Sequence, residues 1–289
     1  MIFFLTACQL SKTTDSAQLV EPDNPPYDNV TLSTQQPPEG DLSCFPQGKT
    51  DQQDFIQETV SPTKAVSHAV KAEVVRFSGE PVPHAQINIY ANNNPNSEPS
   101  DIWYSDENGQ ITDVFLDSCT PYAYTVEISG YLYANETGQM EVFSTQSQSE
   151  NEFNAFSSEE YHMIMENLQI EPDPLAGAVI GLLSDCNDDA LKGVEVILRD
   201  EAGIRNTQLS VYYIDEEGTF QQGESSKGSG MWFVPNIPQG KWIVQMYGYI
   251  DGAPRLLGQG PLYSYPNGIS FINILAGFDG GYRYPPSCF

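Results

Sequence analysis

Basic residues are scarce in this chain. Lys and Arg together number 12 against 39 Asp plus Glu, for a formal charge of −27 over 289 residues. Binding to a phosphate backbone by counterion release needs a basic patch, so nucleic acid is excluded as a partner. Apolar runs are short as well, and none reaches the roughly 18 residues that a membrane-crossing helix requires. Histidine is confined to His68, His84 and His162, all before residue 175. With no C-x-x-C present, no metal site is expected. Residues 175–289 have no His at all and no G-x-S-x-G, so an activated nucleophile with its base is missing there. H-E-x-x-H is absent too. The reading is a non-catalytic chain with no cofactor, whose acidic surface is a solvated face.

What the chain does contain begins at its N-terminus, "MIFFLTACQL". Leu5-Thr6-Ala7-Cys8 looks like the lipobox of bacterial lipoproteins, in which the Cys is lipidated and becomes the mature N-terminus. That resemblance makes Cys8 a lipid anchor and the membrane a partner through it. The basic and apolar regions that normally precede such a site are short or missing, which predicts a start codon further upstream. Residues 9–40 are rich in Ser, Thr, Pro, Asp and Gln, so they offer little apolar burial to offset ordering entropy and read as a disordered tether. Removing Cys8 leaves Cys44, Cys119, Cys186 and Cys288, an even number suited to an oxidising compartment. Four Cys permit three pairings. The preferred one keeps each bridge inside one domain, Cys44 with Cys119 and Cys186 with Cys288.

The length permits two domains, and an internal duplication supplies them. "YSDENGQI" starts at residue 104 and "YIDEEGTF" at residue 213, 109 apart. At the same offset "PVPHAQINIY" falls on "ALKGVEVILR", and Ala85, Ile87 and Ile89 alternate as Val194, Val196 and Leu198 do, the period of a half-buried strand. Further on, "FLDSCTPYAYTVEISGY" falls on "FVPNIPQGKWIVQMYGY" at an offset of 118, which matches Tyr124 to Trp242 and requires a nine-residue insertion around "GESSKGSGM". The repeated phrase has a turn-favouring Asp first and a Gly at the position of positive φ, so each copy is expected to close a hairpin through a type I turn with a Gly bulge. Asp106 and Asn108 alternate too briefly to form a calcium loop.

The run "ALKGVEVIL", "DEEGTF" and "FVPNIPQGKW" resembles the carboxypeptidase regulatory-like domain, a transthyretin-like sandwich. The first copy, about residues 65–145, follows the pattern less closely, because His84 stands where the family has Gly and "LDSCTPYA" lacks Pro-x-Gly. The resemblance implies a non-catalytic module and says little about activity. The tandem is also similar to bacterial lipoproteins that carry such modules behind a lipobox. A transthyretin-like sandwich also serves intradiol dioxygenases, but the His pair that would hold iron is absent near "GQGPLYSYPNG". Lys71 suits an isopeptide cross-link, yet the matching position is Ile180.

One helix is expected between the copies. In "SSEEYHMIMENLQIEPDP", Ser157 and Glu160 form a capping box, Tyr161, Ile164, Met165 and Leu168 make one stripe, and Pro172 and Pro174 end it. The expectation is therefore an all-β protein: two tandem transthyretin-like or Ig-like β-sandwiches joined by a short helix. Its parts are a truncated signal (1–8), the tether (9–40), a first sandwich (41–154), a helical linker (155–174) and a second sandwich (175–289). Its role is structural or protein-interacting at the outer membrane or cell surface, with a periplasmic or secreted location as the alternative. The competing role is a glycan- or small-ligand-binding module using Trp103, Tyr104, Tyr212, Tyr213 and Trp232, aromatics beside the expected hairpins.

Overall fold

The computed structural model describes residues 30–45, 67–76, 79–90, 97–117, 121–128, 137–142, 151–223, 225–266 and 268–277. Cys8, Cys119, Cys288 and residues 9–29 of the expected tether lie outside them. The described chain is all-β with one helix. In order, its strands are β1 (Ser67–Arg76), β2 (Ala85–Tyr90), β3 (Asp101–Tyr104), β4 (Gln110–Asp117), β5 (Pro121–Ile128), β6 (Thr137–Val142) and β7 (Asn151–Ala155). Helix α1 (Ser158–Asn167) follows, then β8 (Ala176–Ser184), β9 (Glu195–Asp200), β10 (Tyr212–Ile214) and β11 (Phe220–Gln222). The last four are β12 (Met231–Pro238), β13 (Gly240–Ile250), β14 (Ala253–Ser264) and β15 (Ile269–Leu275).

Two sandwiches result. In the first, the sheet β4-β1-β7 faces β6-β5-β2-β3, and Val74, Ile111 and Phe153 from one layer meet Ile87, Ile89, Tyr124 and Val126 from the other. In the second, β11-β10-β12-β8-β15 faces β14-β13-β9, closing on Leu183, Trp232, Val234, Val196, Val244 and Met246. Strands β6 and β15 pair in parallel (Thr137 with Ile269, Gly138 with Ser270), so the larger layers of both sandwiches form a nine-stranded sheet.

The helix starts as its sequence predicts but ends at Asn167, with Gln169 at φ 55°, before Pro172 and Pro174 are reached. Ser157 Oγ accepts the Glu160 N–H at 3.1 Å, and the Glu160 carboxylate takes the Ser157 N–H at 2.8 Å. Its stripe lies on the second sandwich, where Tyr161, Ile164 and Met165 pack against Ala178, Ile180, Phe233 and Ile269. Strand β8 therefore faces the core with Val179 and Leu183 and the helix with Ala178 and Ile180. Burial on both faces explains why "AGAVIGLLS" runs apolar with little alternation.

The duplication is real, but its repeated phrase is not. Through β2 and β9 the counterparts lie 109 apart: Val82 donates to the Val74 carbonyl at 2.7 Å, and Leu191 to Leu183 at 2.8 Å. His84 (φ 56°) matches Gly193 (φ 74°), both in the left-handed region. From Ser105 to Ile111 the offset is 121, and beyond a bulge in β4 it is 120. Ser105 donates its N–H to the Ala85 carbonyl, its hydroxyl donates to the Val82 carbonyl, and that hydroxyl accepts the Ala85 N–H. Ser226 makes the same three bonds to Val194 and Leu191. Likewise Val74 donates to the Gly109 carbonyl and Leu183 to that of Gly230. The counterpart of "SDENG" is thus Ser226 to Gly230, inside the segment taken for an insertion. Twelve extra residues lie between β9 and Ser226, and the "YIDEEGTF" hairpin (β10–β11) sits among them.

Two expectations are corrected with it. Strands β3 and β4 lie in different sheets, so "YSDENGQI" turns a corner between layers and closes no hairpin. Tyr124 pairs with Ile89 as Val244 pairs with Leu198, so the counterpart of Trp242 is Tyr122. The phrases resemble each other because an Asp followed three residues later by a residue at positive φ is a self-sufficient turn. Asp106 Oδ1 accepts the N–H groups of Asn108 and Gln110, and Asp215 Oδ1 those of Glu217 and Thr219. Asp185 repeats this with Asn187 and Asp189, and Asp200 accepts the N–H of Ile204. Four turns share one local chemistry, which therefore does not mark position in the module.

Candidate functional site

Residues 31–45, divided at sequence level between the tether and the first sandwich, lie along the second. Glu39 and Lys192 exchange both backbone bonds (3.0 and 3.1 Å). Asp41 donates its N–H to the Asp185 carboxylate at 2.7 Å, accepts the Cys186 N–H on its carbonyl at 2.8 Å, and takes the Asn187 side-chain amide at 2.9 Å. Bonds from Ser43, backbone first, hold the Asp41 carboxyl below its ordinary value. Ser33 N–H and Oγ both reach Glu195 Oε1 at 2.6 Å, with Thr34 N–H at 3.2 Å. Leu32 is buried. Pro38 lies so close to Gly248 that a β-carbon there would come within 2.5 Å of it. The polar composition that read as a tether instead satisfies backbone groups along this strap.

A disulfide fastens the strap. Cys44 and Cys186 are bonded across a sequence separation of 142 residues. This overturns the preferred pairing of Cys44 with Cys119 and Cys186 with Cys288. Keeping each bridge within one domain assumed that residue 44 belongs to the first sandwich, whereas the strap carries it past that module to the second.

Beside the strap lies a groove along β9, with a volume of about 350 Å³, lined by residues including Ser33, Glu195, Leu198, Arg205, Tyr213 and Gln222. It follows from the altered route of the chain. In the first sandwich the outer edge of β2 is covered by β3, with Ile87 opposite Trp103 and Ile89 opposite Asp101. In the second, the chain after β9 goes to the other sheet, where β10 pairs with β12. The edge of β9 is closed only in part. Ser226 holds Val194, Asn206 donates its N–H to the Leu198 carbonyl at 3.0 Å, and Tyr213 Oη accepts the Val196 N–H at 2.8 Å. Between these, the Val196 carbonyl and the Leu198 N–H have no hydrogen-bond partner among the described residues. Burial, with a smaller contribution from the Glu195 charge, pushes the Tyr213 hydroxyl pKa up, partly opposed by the Val196 bond. The phenol therefore stays neutral across the physiological range.

The aromatics singled out from sequence do not assemble into a platform. Trp103 (5% exposed), Tyr213 (2%) and Trp232 (0%) are core residues. Trp103 stands edge-on to Phe153 with its indole N–H on Asp101, and Trp232 lies flat against Gly181. Tyr212 is half-buried beside the residues under α1. Tyr104 alone of the five is exposed, at 64%. A glycan-stacking platform of these five loses its geometry, because β3, β10 and β12 turn Trp103, Tyr213 and Trp232 into the sandwiches and leave only Tyr104 of the five exposed. Sequence reasoning missed the β9 edge, Ser33 and Glu195. The one legible signal was the mismatch in spacing between the copies, which locates a difference without saying which strand is displaced. Among the described residues, no group of three or more His, Cys, Asp and Glu is arranged to hold a metal.

No protein-family model matches the chain, and no curated protein does. Among solved structures, the Bacillus anthracis TIE protein is similar at 15% identity over 73% of this chain and 34% of its own, with a TM-score of 0.23. The shaft pilin SpaA of Lactobacillus rhamnosus GG aligns at 11% identity over 73% of this chain and 98% of its own, TM-score 0.24. The minor pilin of Streptococcus agalactiae does so at 9% over 75% and 97%, TM-score 0.25. The chain spans about a third of the TIE protein. The strand pairings above, and not these likenesses, define the fold.

Proposed function

We propose that this chain is a non-catalytic, lipid-anchored protein of the cell envelope whose two sandwich modules, related to the carboxypeptidase regulatory-like domain, serve a structural or protein-binding role. The observation that carries the proposal is the Cys44–Cys186 bridge. Structural disulfides persist where the surroundings are oxidising and are rare in a reducing cytosol. The bridge is built in, since the backbone bonds of Asp41 to Asp185 and Cys186 align the two cysteines. The lipobox-like Leu5 to Cys8 gives the same compartment by an independent route. No helix among the described residues is long and apolar enough to cross a membrane, and in this proposal the lipid on Cys8 is the attachment.

Expressed behind a complete lipoprotein signal, the chain should give globomycin-sensitive processing and palmitate incorporation that Cys8→Ala abolishes. No incorporation in that protein overturns the anchor. Biotinylation of intact cells separates an outward-facing protein, which is labelled, from a periplasmic one. Cross-linking on those cells should join the chain to another polypeptide. A chain that cross-links to nothing, while glycans are retained on it, would replace the protein-binding role with the sugar-binding one.

A further inference from the structure

Resting on the protein-binding role just proposed, we infer that the β9 groove takes a short extended segment of a partner polypeptide, which adds to β9 as an antiparallel strand. The first module supplies the precedent, because β3 covers the equivalent edge of β2 in that direction. The second module has moved its own chain away, and among the described residues only an isolated bridge of Arg205 to Arg199 takes its place, at one end of the edge. What remains is the chemistry of strand addition: an edge whose Val196 carbonyl faces out as acceptor and whose Leu198 N–H faces out as donor, beside a ready cavity. Main-chain bonds of this kind give affinity whatever the side chains, while pockets at alternate positions select among sequences.

Size and charge narrow the occupant. A volume of about 350 Å³ lies at the small end of the range for ligand pockets, roughly 300–1,000 Å³. It holds a few residues of a single extended chain and excludes the folded edge of a second sandwich. Asn206 and Ser226 close the two ends, so no longer ladder can form. A charge of −27 on the chain favours a segment that is neutral or basic. Tyr213 forms the floor, with its hydroxyl on the one remaining outward N–H, that of Val196. The residue turned inward above it must therefore be small.

A displayed library of random eight-residue peptides, selected on the full disulfide-bonded chain, tests this directly. Enriched peptides should slow hydrogen exchange of the Leu198 amide tenfold or more, and Ser210→Trp, which fills the groove from its wall, should abolish their binding. Tyr213→Phe frees the Val196 N–H for the incoming strand and should tighten binding about fivefold, one added hydrogen bond. A purely structural tyrosine would leave the affinity unchanged or weaken it. Enrichment no better than on bare support overturns the inference, as do binders that leave Leu198 exchange unaltered or that survive Ser210→Trp. Partners cross-linked on cells without protection at Leu198 would keep the protein-binding role and remove the groove from it. Loss of labelling at Cys8 would remove the anchor and leave the groove untouched.

Discussion

The two sandwiches keep the same frame and fill it differently. Ser105 and Ser226 tie the same carbonyl and the same N–H, and Gly109 and Gly230 make the same close approach to β1 and β8. Where they diverge, they do so in compensating pairs. Ile111 stands opposite Ala72 in the first module, whereas Trp232 stands opposite Gly181 in the second. A β-carbon on Gly181 would fall 2.4 Å from the indole carbons, so the large ring is possible only because the facing residue is small. Backbone bonds with buried partners resist change at either end, while packing pairs drift together at nearly constant volume. An edge strand has fewer obligations than either and has left its sheet.

The largest effect should come from breaking the packing pair. Trp232→Ala empties the centre of the second core and should cost about 4 kcal/mol in urea unfolding. Gly181→Ala should cost about 2 kcal/mol by overpacking. Together, Gly181→Ala with Trp232→Ile imports the first module's pair, and it should recover most of that loss. It also removes the Trp232 indole N–H, which is buried without a hydrogen-bond partner among the described residues. A double variant no more stable than Trp232→Ala would show that the two pairs are not equivalent.

Next in size is the serine that both modules share. Ser226→Ala and Ser105→Ala each leave a buried N–H and carbonyl short of a partner, and each should cost about 2 kcal/mol. Equal losses confirm the equivalence of the two residues, and a loss at Ser105 alone breaks it. His84 and Gly193 sharpen the comparison at smaller scale. A non-Gly residue at positive φ is strained, so His84→Gly should stabilise the first module by about 1 kcal/mol, and Gly193→Ala should destabilise the second by a similar amount. Thermal unfolding of the paired variants reads both.

The smallest effect is the acid dependence of the corner turn. Bonds from the Gln110 N–H, then the Asn108 N–H, hold Asp106 below its ordinary value of 3.8, with the His84 charge a minor contributor. Since its folded pKa is the lower one, the stabilisation is complete above pH 3.8 and disappears as pH falls through that depressed pKa. An NMR titration of the Asp106 carboxyl should have its midpoint below 3.8, and Asp106→Asn should remove that part of the acid sensitivity.

Much of the frame was legible because it is written locally. Alternation at Ala85, Ile87 and Ile89 marked a strand, and Ser157 with Glu160 marked the start of the helix. The displacement of β3's counterpart was not legible, because Asp106 and Asp215 build the same turn from their own neighbours and the match between them is convergent chemistry. The disulfide was hidden for the opposite reason. Nothing local distinguishes Cys186 from Cys119 as a partner for Cys44, and the choice depends on where the strap lies. The groove was least visible, since Val196 and Leu198 contribute to it backbone groups that every residue has.

The bridge between Cys44 and Cys186 also sets how the chain bears force. Tension applied upstream of residue 44 crosses the sulfur bridge directly into the second module. The whole first module hangs in a closed covalent loop beside that line and carries none of the load. A cut anywhere between the two cysteines leaves both fragments attached to each other. If the N-terminal side is held at a surface, the first module can be pulled on, nicked or unfolded by its surroundings without releasing the second.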